Sequence, residues 1–66
     1  MPINNSTTFL NRFFYANDTY SADEIDKKVD AFVISFCLEN KMINTVFQND
    51  KRLYHLLPEG KKVIRR

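Results

Sequence analysis

Cysteine, glycine and histidine are almost missing from this chain of 66 residues, which contains one of each. A lone cysteine excludes a disulfide within the chain and is typical of a reducing compartment such as the cytoplasm. A closed zinc site takes about four Cys or His ligands, whereas Cys37 and His55 are the full supply here. We therefore expect no disulfide, no bound metal and no other cofactor.

Motifs for catalysis are missing as well. A chain with a single glycine has no glycine-rich phosphate loop and no nucleophile elbow, and no motif places a Ser, Cys or acid beside His55. We expect Cys37 to be a small buried hydrophobic residue and His55 to be an ordinary strand residue. The chain is predicted not to be an enzyme.

Long hydrophobic runs are also absent. The first apolar run, residues 9–15, is interrupted by Asn11 and Arg12, so neither a signal peptide nor a membrane span is predicted, and the expected location is the cytoplasm. Yet 44% of the residues are hydrophobic and 14% are aromatic, too many for a disordered tail. The length then predicts one folded domain over residues 1–66, with a core that is small for its surface.

The N-terminal part of the chain predicts two helical segments. In the first, over about residues 7–16, Ser6 or Thr7 is the expected cap, and four apolar residues share one face. These are Phe9, Leu10, Phe13 and Phe14.

The second helical segment begins with the clearest local signal in the chain. Ser21 and Glu24 have the spacing of a capping box, and Tyr20 and Ile25 occupy the positions of a hydrophobic staple. Helical spacing continues to about residue 40, and residues 31–38 are apolar on almost every side. Such a helix is buried on more than one face.

The C-terminal part predicts a β-hairpin followed by a short helix. Residues 42–47 and 52–57 alternate as strands do, around a polar four-residue loop, 48–51. Pro58 and Glu59 then suit the first turn of a helix. The predicted fold is therefore a small α+β domain with two N-terminal helical segments, a hairpin and a short C-terminal helix.

The order helix, Leu38-Glu39-Asn40-Lys41-Met42-Ile43, hairpin, and Tyr54-His55-Leu56-Leu57-Pro58-Glu59-Gly60-Lys61 resembles the winged helix-turn-helix domains of MarR-like and PadR-like regulators. The resemblance covers residues 21–66 and implies that the hairpin is a DNA-binding wing. Leu57 stands where those families have a capping Thr, and Lys41-Met42 replace the turn glycine. The stretch 21–43 is also short for two helices. Either two helices are joined by a very tight turn near Val29-Asp30, or the stretch forms one continuous helix.

Charge is divided unevenly along the chain. Residues 1–40 hold three basic and six acidic side chains, and residues 41–66 hold seven basic and two acidic ones. Because phosphate neutralisation supplies most non-specific affinity for DNA, we expect contacts with double-stranded DNA to come from the wing and tail. The predicted contact residues are Lys41, Lys51, Arg52, Lys61, Lys62, Arg65 and Arg66. Residues 30–40 contain no basic residue, so that helix is not expected to contact base edges in the major groove.

Two functions follow from these patterns. The first is a small DNA-binding transcriptional regulator of a phage or mobile element, acting as a homodimer. The second is a protein-interaction or inhibitor module on the same scaffold, without DNA binding and with a host protein as a possible partner. In either case the aromatic residues exceed what one hairpin covers, so some are predicted to lie in a dimer or partner interface. The candidates are Phe9, Phe13, Phe14, Phe32 and Phe36.

Overall fold

The structure is a computed structural model that describes residues 5–64. Those residues form four helices and a three-stranded antiparallel sheet, which confirms the predicted α+β class. Arg65 and Arg66, both predicted to contact DNA, lie outside the described residues. The elements in chain order are α1 (Asn5–Phe14), β1 (Thr19–Ser21), α2 (Ala22–Lys28), α3 (Ala31–Glu39), β2 (Ile43–Gln48), β3 (Lys51–Leu56) and α4 (Pro58–Lys61).

The first helix starts earlier than its sequence indicates. Ser6 and Thr7 lie within α1, so the prediction that one of them caps the helix is wrong. Ser6 is instead buried, and its hydroxyl forms a hydrogen bond with the thiol of Cys37 on α3. A short polar side chain at this point lets α1 and α3 approach while both polar groups keep a partner.

The apolar face of α1 forms the centre of the core. Phe9, Phe13 and Phe14 are 4%, 7% and 0% exposed, and the Phe13 ring meets Tyr20 edge to face with centroids 5.0 Å apart. These three phenylalanines are thus packed mainly within their own chain, and the prediction that they lie in an interface stays a prediction. The other large, fully buried side chains of the core are Leu10, Ile25, Ile43, Leu56 and Cys37.

A short strand that the sequence did not predict joins the first helix to the second. β1 pairs antiparallel with β3, with Tyr20 opposite Tyr54, and the Leu56 amide donates to the Asp18 carbonyl at 2.7 Å. β2 pairs with the other side of β3, so the strand order is β1-β3-β2. The central strand is thus the last one in the sequence, and it connects both halves of the chain.

The helix pair α2–α3 contains the tight turn, and the alternative of one continuous helix is wrong. The Ser21 hydroxyl accepts from the Glu24 amide at 3.4 Å, as expected of the capping box, and Ile25 is buried. Val29 then adopts an extended conformation, and the Asp30 carboxylate accepts from the Phe32 amide at 2.8 Å. Two residues, Val29 and Asp30, are therefore enough to end one helix and cap the next.

The end of α3 shows how the chain manages without the turn glycine. The Met42 amide donates to the Cys37 carbonyl at 2.9 Å and the Lys41 amide to the Leu38 carbonyl at 3.2 Å, which is the pair of bonds of a Schellman motif. Lys41 takes the left-handed conformation at its centre, with φ of 59°. A lysine thus occupies a backbone position that favours glycine.

The hairpin has a tighter turn than predicted. Gln48 and Lys51 pair with each other as the last residues of their strands, so the loop has two residues and not four. Asn49 and Asp50 both have positive φ, 52° and 63°, as a type I′ turn requires.

The closing helix α4 packs on the turn before β2. The Leu57 amide donates to the Met42 carbonyl at 2.9 Å, and Leu57 provides no side-chain cap. A Cβ on Gly60 would overlap the Met42 carbonyl oxygen and come within 2.6 Å of the Leu56 Cδ1 atom. The single glycine of the chain is therefore required by close packing.

Replacement of Lys41 by glycine is expected to raise the free energy of unfolding by about 0.5–1 kcal/mol. The left-handed conformation costs an L-residue roughly 1–2 kcal/mol, which glycine would not lose. The greater freedom of glycine in the unfolded chain offsets about 0.4–1 kcal/mol of this stabilisation. Urea unfolding of Lys41→Gly measures the difference, with Lys41→Ala as the matched control that keeps a Cβ. Equal stability of the two variants would contradict the strained position of Lys41.

Replacement of Gly60 by alanine is expected to lower the free energy of unfolding by about 1–3 kcal/mol, the usual cost of overpacking a fitted site. The control is Glu59→Ala, an exposed neighbour for which a change within about 0.5 kcal/mol is expected. If Gly60→Ala unfolds at the same urea concentration as the native chain, the close contact of α4 with Met42 is not present in solution.

Candidate functional site

The arginine of the predicted wing is bound to α2. Arg52 forms an ion pair with Asp26 and lies 3.5 Å from an Asp23 carboxylate oxygen. Its guanidinium also lies over the Tyr54 ring, 5.6 Å from the ring centroid. Arg52 was predicted to contact DNA, but in the structure its guanidinium contacts two carboxylates of its own chain.

Tyr54 completes this cluster from the buried side. Its hydroxyl donates to Asp26 at 2.9 Å, and the side chain is 3% exposed. Burial, the hydrogen bond to Asp26 and the charge of that carboxylate raise the pKa of Tyr54 above its ordinary value of 10.0, while Arg52 acts in the opposite direction. The same contact with Asp26 raises the pKa of Arg52, so the guanidinium is charged at every physiological pH.

Other predicted DNA contacts are also paired with acids. Lys61 lies 3.4 Å from Asp18 and Lys62 lies 3.0 Å from Glu59. Lys41 and Lys51 are exposed, and within residues 5–64 neither has a carboxylate at ion-pair distance. Two of the five predicted contact residues that the structure describes therefore present an uncompensated charge.

The part of the chain that the structure describes has no excess of positive charge. The whole chain has a formal net charge of +2, and Arg65 and Arg66 account for all of it. Residues 5–64 therefore have a formal net charge of zero. A net charge of zero gives no overall electrostatic attraction to a polyanion, so any attraction depends on local charges such as those of Lys41 and Lys51.

The face of α3 that points away from the core presents two exposed aromatic side chains. Phe32 is 79% exposed and Phe36 is 43% exposed, whereas Ile34 and Cys37 of the same helix are buried. Together with Ser35 and Glu39, the two phenylalanines line a shallow groove of about 120 Å³. We call this set of four residues the α3 face, and two of the five predicted interface residues belong to it.

Two further aromatic side chains are exposed that the sequence did not single out. Phe47 on β2 is 75% exposed and Tyr15 after α1 is 53% exposed. Phe47 shares the core-facing side of β2 with Ile43, which is 1% exposed, because residues two apart in a strand face the same way. Alternation therefore predicted the side on which Phe47 lies but not that the core ends before it.

Cys37 and His55 have the roles predicted for them. Cys37 is fully buried, and burial raises the pKa of its thiol above 9.0 although the hydrogen bond with Ser6 acts in the opposite direction. His55 lies in β3, with Nδ1 3.1 Å from the Thr19 hydroxyl. Neither residue belongs to a cluster of three or more His, Cys, Asp or Glu side chains that would hold a metal ion among residues 5–64.

Comparison with known proteins adds no relative. No protein-family model, curated protein or solved structure matches this chain. The helices within residues 5–64 are also too short or too polar to cross a membrane.

The raised pKa of Tyr54 predicts a loss of stability at alkaline pH. The folded chain holds the phenolic proton more tightly than the unfolded chain, so this contribution is complete below about pH 10 and declines as the pH rises through the folded pKa. Urea unfolding from pH 7 upward should show that the stability advantage of the native chain over Tyr54→Phe narrows above that pH. If the difference in free energy of unfolding between the native chain and Tyr54→Phe did not change with pH, burial and Asp26 would not be raising the pKa of Tyr54.

Proposed function

We propose that this chain is a non-catalytic, cytoplasmic protein-interaction module on a winged-helix-type scaffold. Support for the scaffold comes from the element order, in which a helix pair is followed by a hairpin and a short strand pairs with the second hairpin strand. In that scaffold α3 has the position of the helix that meets DNA in winged-helix regulators. Fold alone does not decide function, so the proposal depends on what α3 presents.

The observation that carries the proposal is the chemistry of the α3 face. A DNA-reading helix places Arg, Lys, Asn or Gln against the bases, whereas Phe32, Ser35, Phe36 and Glu39 offer two aromatic rings, a hydroxyl and a carboxylate. The carboxylate would repel phosphate. Exposed aromatic residues are instead typical of the anchors of protein interfaces.

The partner's chemistry follows from the charge around this face. Asp30 precedes α3 and Glu39 ends it, and α3 itself contains no basic residue. A surface with these features favours a protein segment that presents apolar side chains flanked by lysine or arginine. An amphipathic basic helix, which lays an apolar stripe into a groove, has this chemistry.

A designed peptide tests the proposal directly. The probe is a synthetic amphipathic helix of leucine and lysine, with a leucine and glutamate peptide of the same pattern as its control. We expect the basic peptide to shift the backbone resonances of Phe32, Ser35, Phe36 and Glu39 in ¹⁵N spectra. The acidic peptide should bind at least about tenfold more weakly, because like charges then face each other.

Matched variants distinguish binding at the α3 face from non-specific binding to any exposed aromatic ring. Phe32→Ser should abolish the shifts, while Phe47→Ser removes an equally exposed ring elsewhere and should leave them unchanged. Neither ring belongs to the buried core, so both variants are expected to stay folded. Absence of binding by the native chain, or equal binding by the two variants, would exclude the α3 face as the docking surface.

DNA binding through the wing and tail is the second candidate. Lys41 and Lys51, exposed and without an acidic partner in residues 5–64, favour it, and Arg65 and Arg66 add two charges in sequence. Four phosphate contacts would make the logarithm of the binding constant fall with the logarithm of salt concentration with a slope of about −3 to −4. Fluorescence anisotropy with a duplex oligonucleotide measures that slope.

The variant that identifies this second function is Lys51→Glu. It should weaken DNA binding and reduce the salt slope by about 1 or more, whereas Ser35→Ala on α3 should change neither. If the native chain shows no salt-dependent binding at low ionic strength, the second candidate is excluded and the first is unaffected.

A further inference from the structure

Strand β2 forms an open edge of the sheet. In the order β1-β3-β2 its inner side pairs with β3, and within residues 5–64 no strand pairs with its outer side. The edge has six residues, Ile-Asn-Thr-Val-Phe-Gln, without a charge or a proline. The opposite edge, β1, has three residues.

Proteins normally protect such an edge. Short strands, lysine, proline or a bulge prevent the unpaired amide and carbonyl groups from pairing with another chain. β1 is protected because it is short. β2 has none of these features, and its pairing with β3 runs without a bulge from Ile43 to Gln48. Its outer edge is therefore competent to accept a further strand.

We propose that the outer edge of β2 pairs with β2 of a second copy of this chain, antiparallel and centred on Thr45. The two sheets would then join into one of six strands across a twofold axis. This arrangement is isologous, so that each copy uses the same strand. It specifies where the predicted homodimer forms, and it does not depend on the α3 face.

The side chains of β2 suit this pairing with its own copy. In the register centred on Thr45, Phe47 of each copy lies opposite Ile43 of the other, on the side of the sheet that continues the core. The Phe47 ring, 75% exposed in the single chain, would lose part of that exposure against the paired strand. Thr45 would meet its counterpart, a favourable cross-strand pair, and no like charges face each other along the strand.

The residues that flank β2 add charge complementarity. The same register brings the hairpin turn of one copy, with Asp50, to the start of the other copy's β2, which Lys41 precedes. Both side chains are exposed, so each is available for a pair between copies. A second copy therefore fits both the strand and its ends.

Charge placed at the centre of the strand tests the proposal. Thr45→Lys would face its counterpart across the twofold axis and should weaken dimerisation at least about tenfold, and Thr45→Glu should do the same. An equimolar mixture of the two variants should recover the dimer, because opposite charges then meet. Sedimentation velocity at about 0.1 mM and above, where a small interface is populated, measures the mass.

The control is Ser35→Lys, which adds the same charge to the α3 face and should leave the dimer intact. Recovery in the mixture also shows that both Thr45 variants fold. The proposal is overturned if the native chain stays monomeric at these concentrations, if the mixture does not recover, or if Ser35→Lys dissociates the dimer while Thr45→Lys does not.

Discussion

Arg52 leaves the face of β3 and reaches the carboxylates of α2, and this contact removes the arginine of the predicted wing from the free surface charge. The guanidinium binds Asp26 and approaches Asp23, while the Tyr54 hydroxyl donates to Asp26 from below. The cluster holds the first helix of the pair against the central strand of the sheet. The ion pair contributes little to the free energy of unfolding, because Arg52 and Asp26 are each more than a third exposed, and the buried Ala22 and Ile25 anchor α2 to the core.

The same contact determines the electrostatics of the surface. Arg52 is bound to α2, and Lys61 and Lys62 are paired with acids, so three of the basic residues in the second half of the sequence have their charge compensated within the chain. Two of these pairs, Arg52 with Asp26 and Lys61 with Asp18, join the basic second half to the acidic first half. What remains distinctive is apolar: the exposed rings of Phe32 and Phe36 on α3, and the uncharged edge of β2.

Local sequence signals predicted the parts of the fold that local interactions create. The cap at Ser21, the apolar face of α1 and the hairpin needed only neighbours within a few residues. β1 was missed because three residues become a strand only by pairing with residues 53–55, more than thirty positions away in sequence. The turn at Lys41 was unexpected because the Schellman hydrogen bonds place a lysine in a conformation for which glycine is the usual residue.

The candidate surfaces were less predictable, for a related reason. Aromatic composition indicated that some rings would lie outside the core, but it did not decide which ones. α3 is apolar on almost every side, and its sequence did not show that Phe32 would be 79% exposed while Ile34 and Cys37 would be buried. The partners of Arg52 were equally hidden, because Asp26 is 26 residues away in sequence.

The most direct test of this account is a titration of the ¹⁵N-labelled protein with a duplex oligonucleotide at low ionic strength. Arg52 is bound by Asp26 and Asp23 of its own chain, and we propose that the exposed α3 face docks a protein and that neither of them meets nucleic acid. We predict that the resonances of α3 and the Arg52 side chain stay in place throughout the titration. Salt-dependent shifts of Arg52 together with Phe32, Ser35 and Phe36 would contradict the claim.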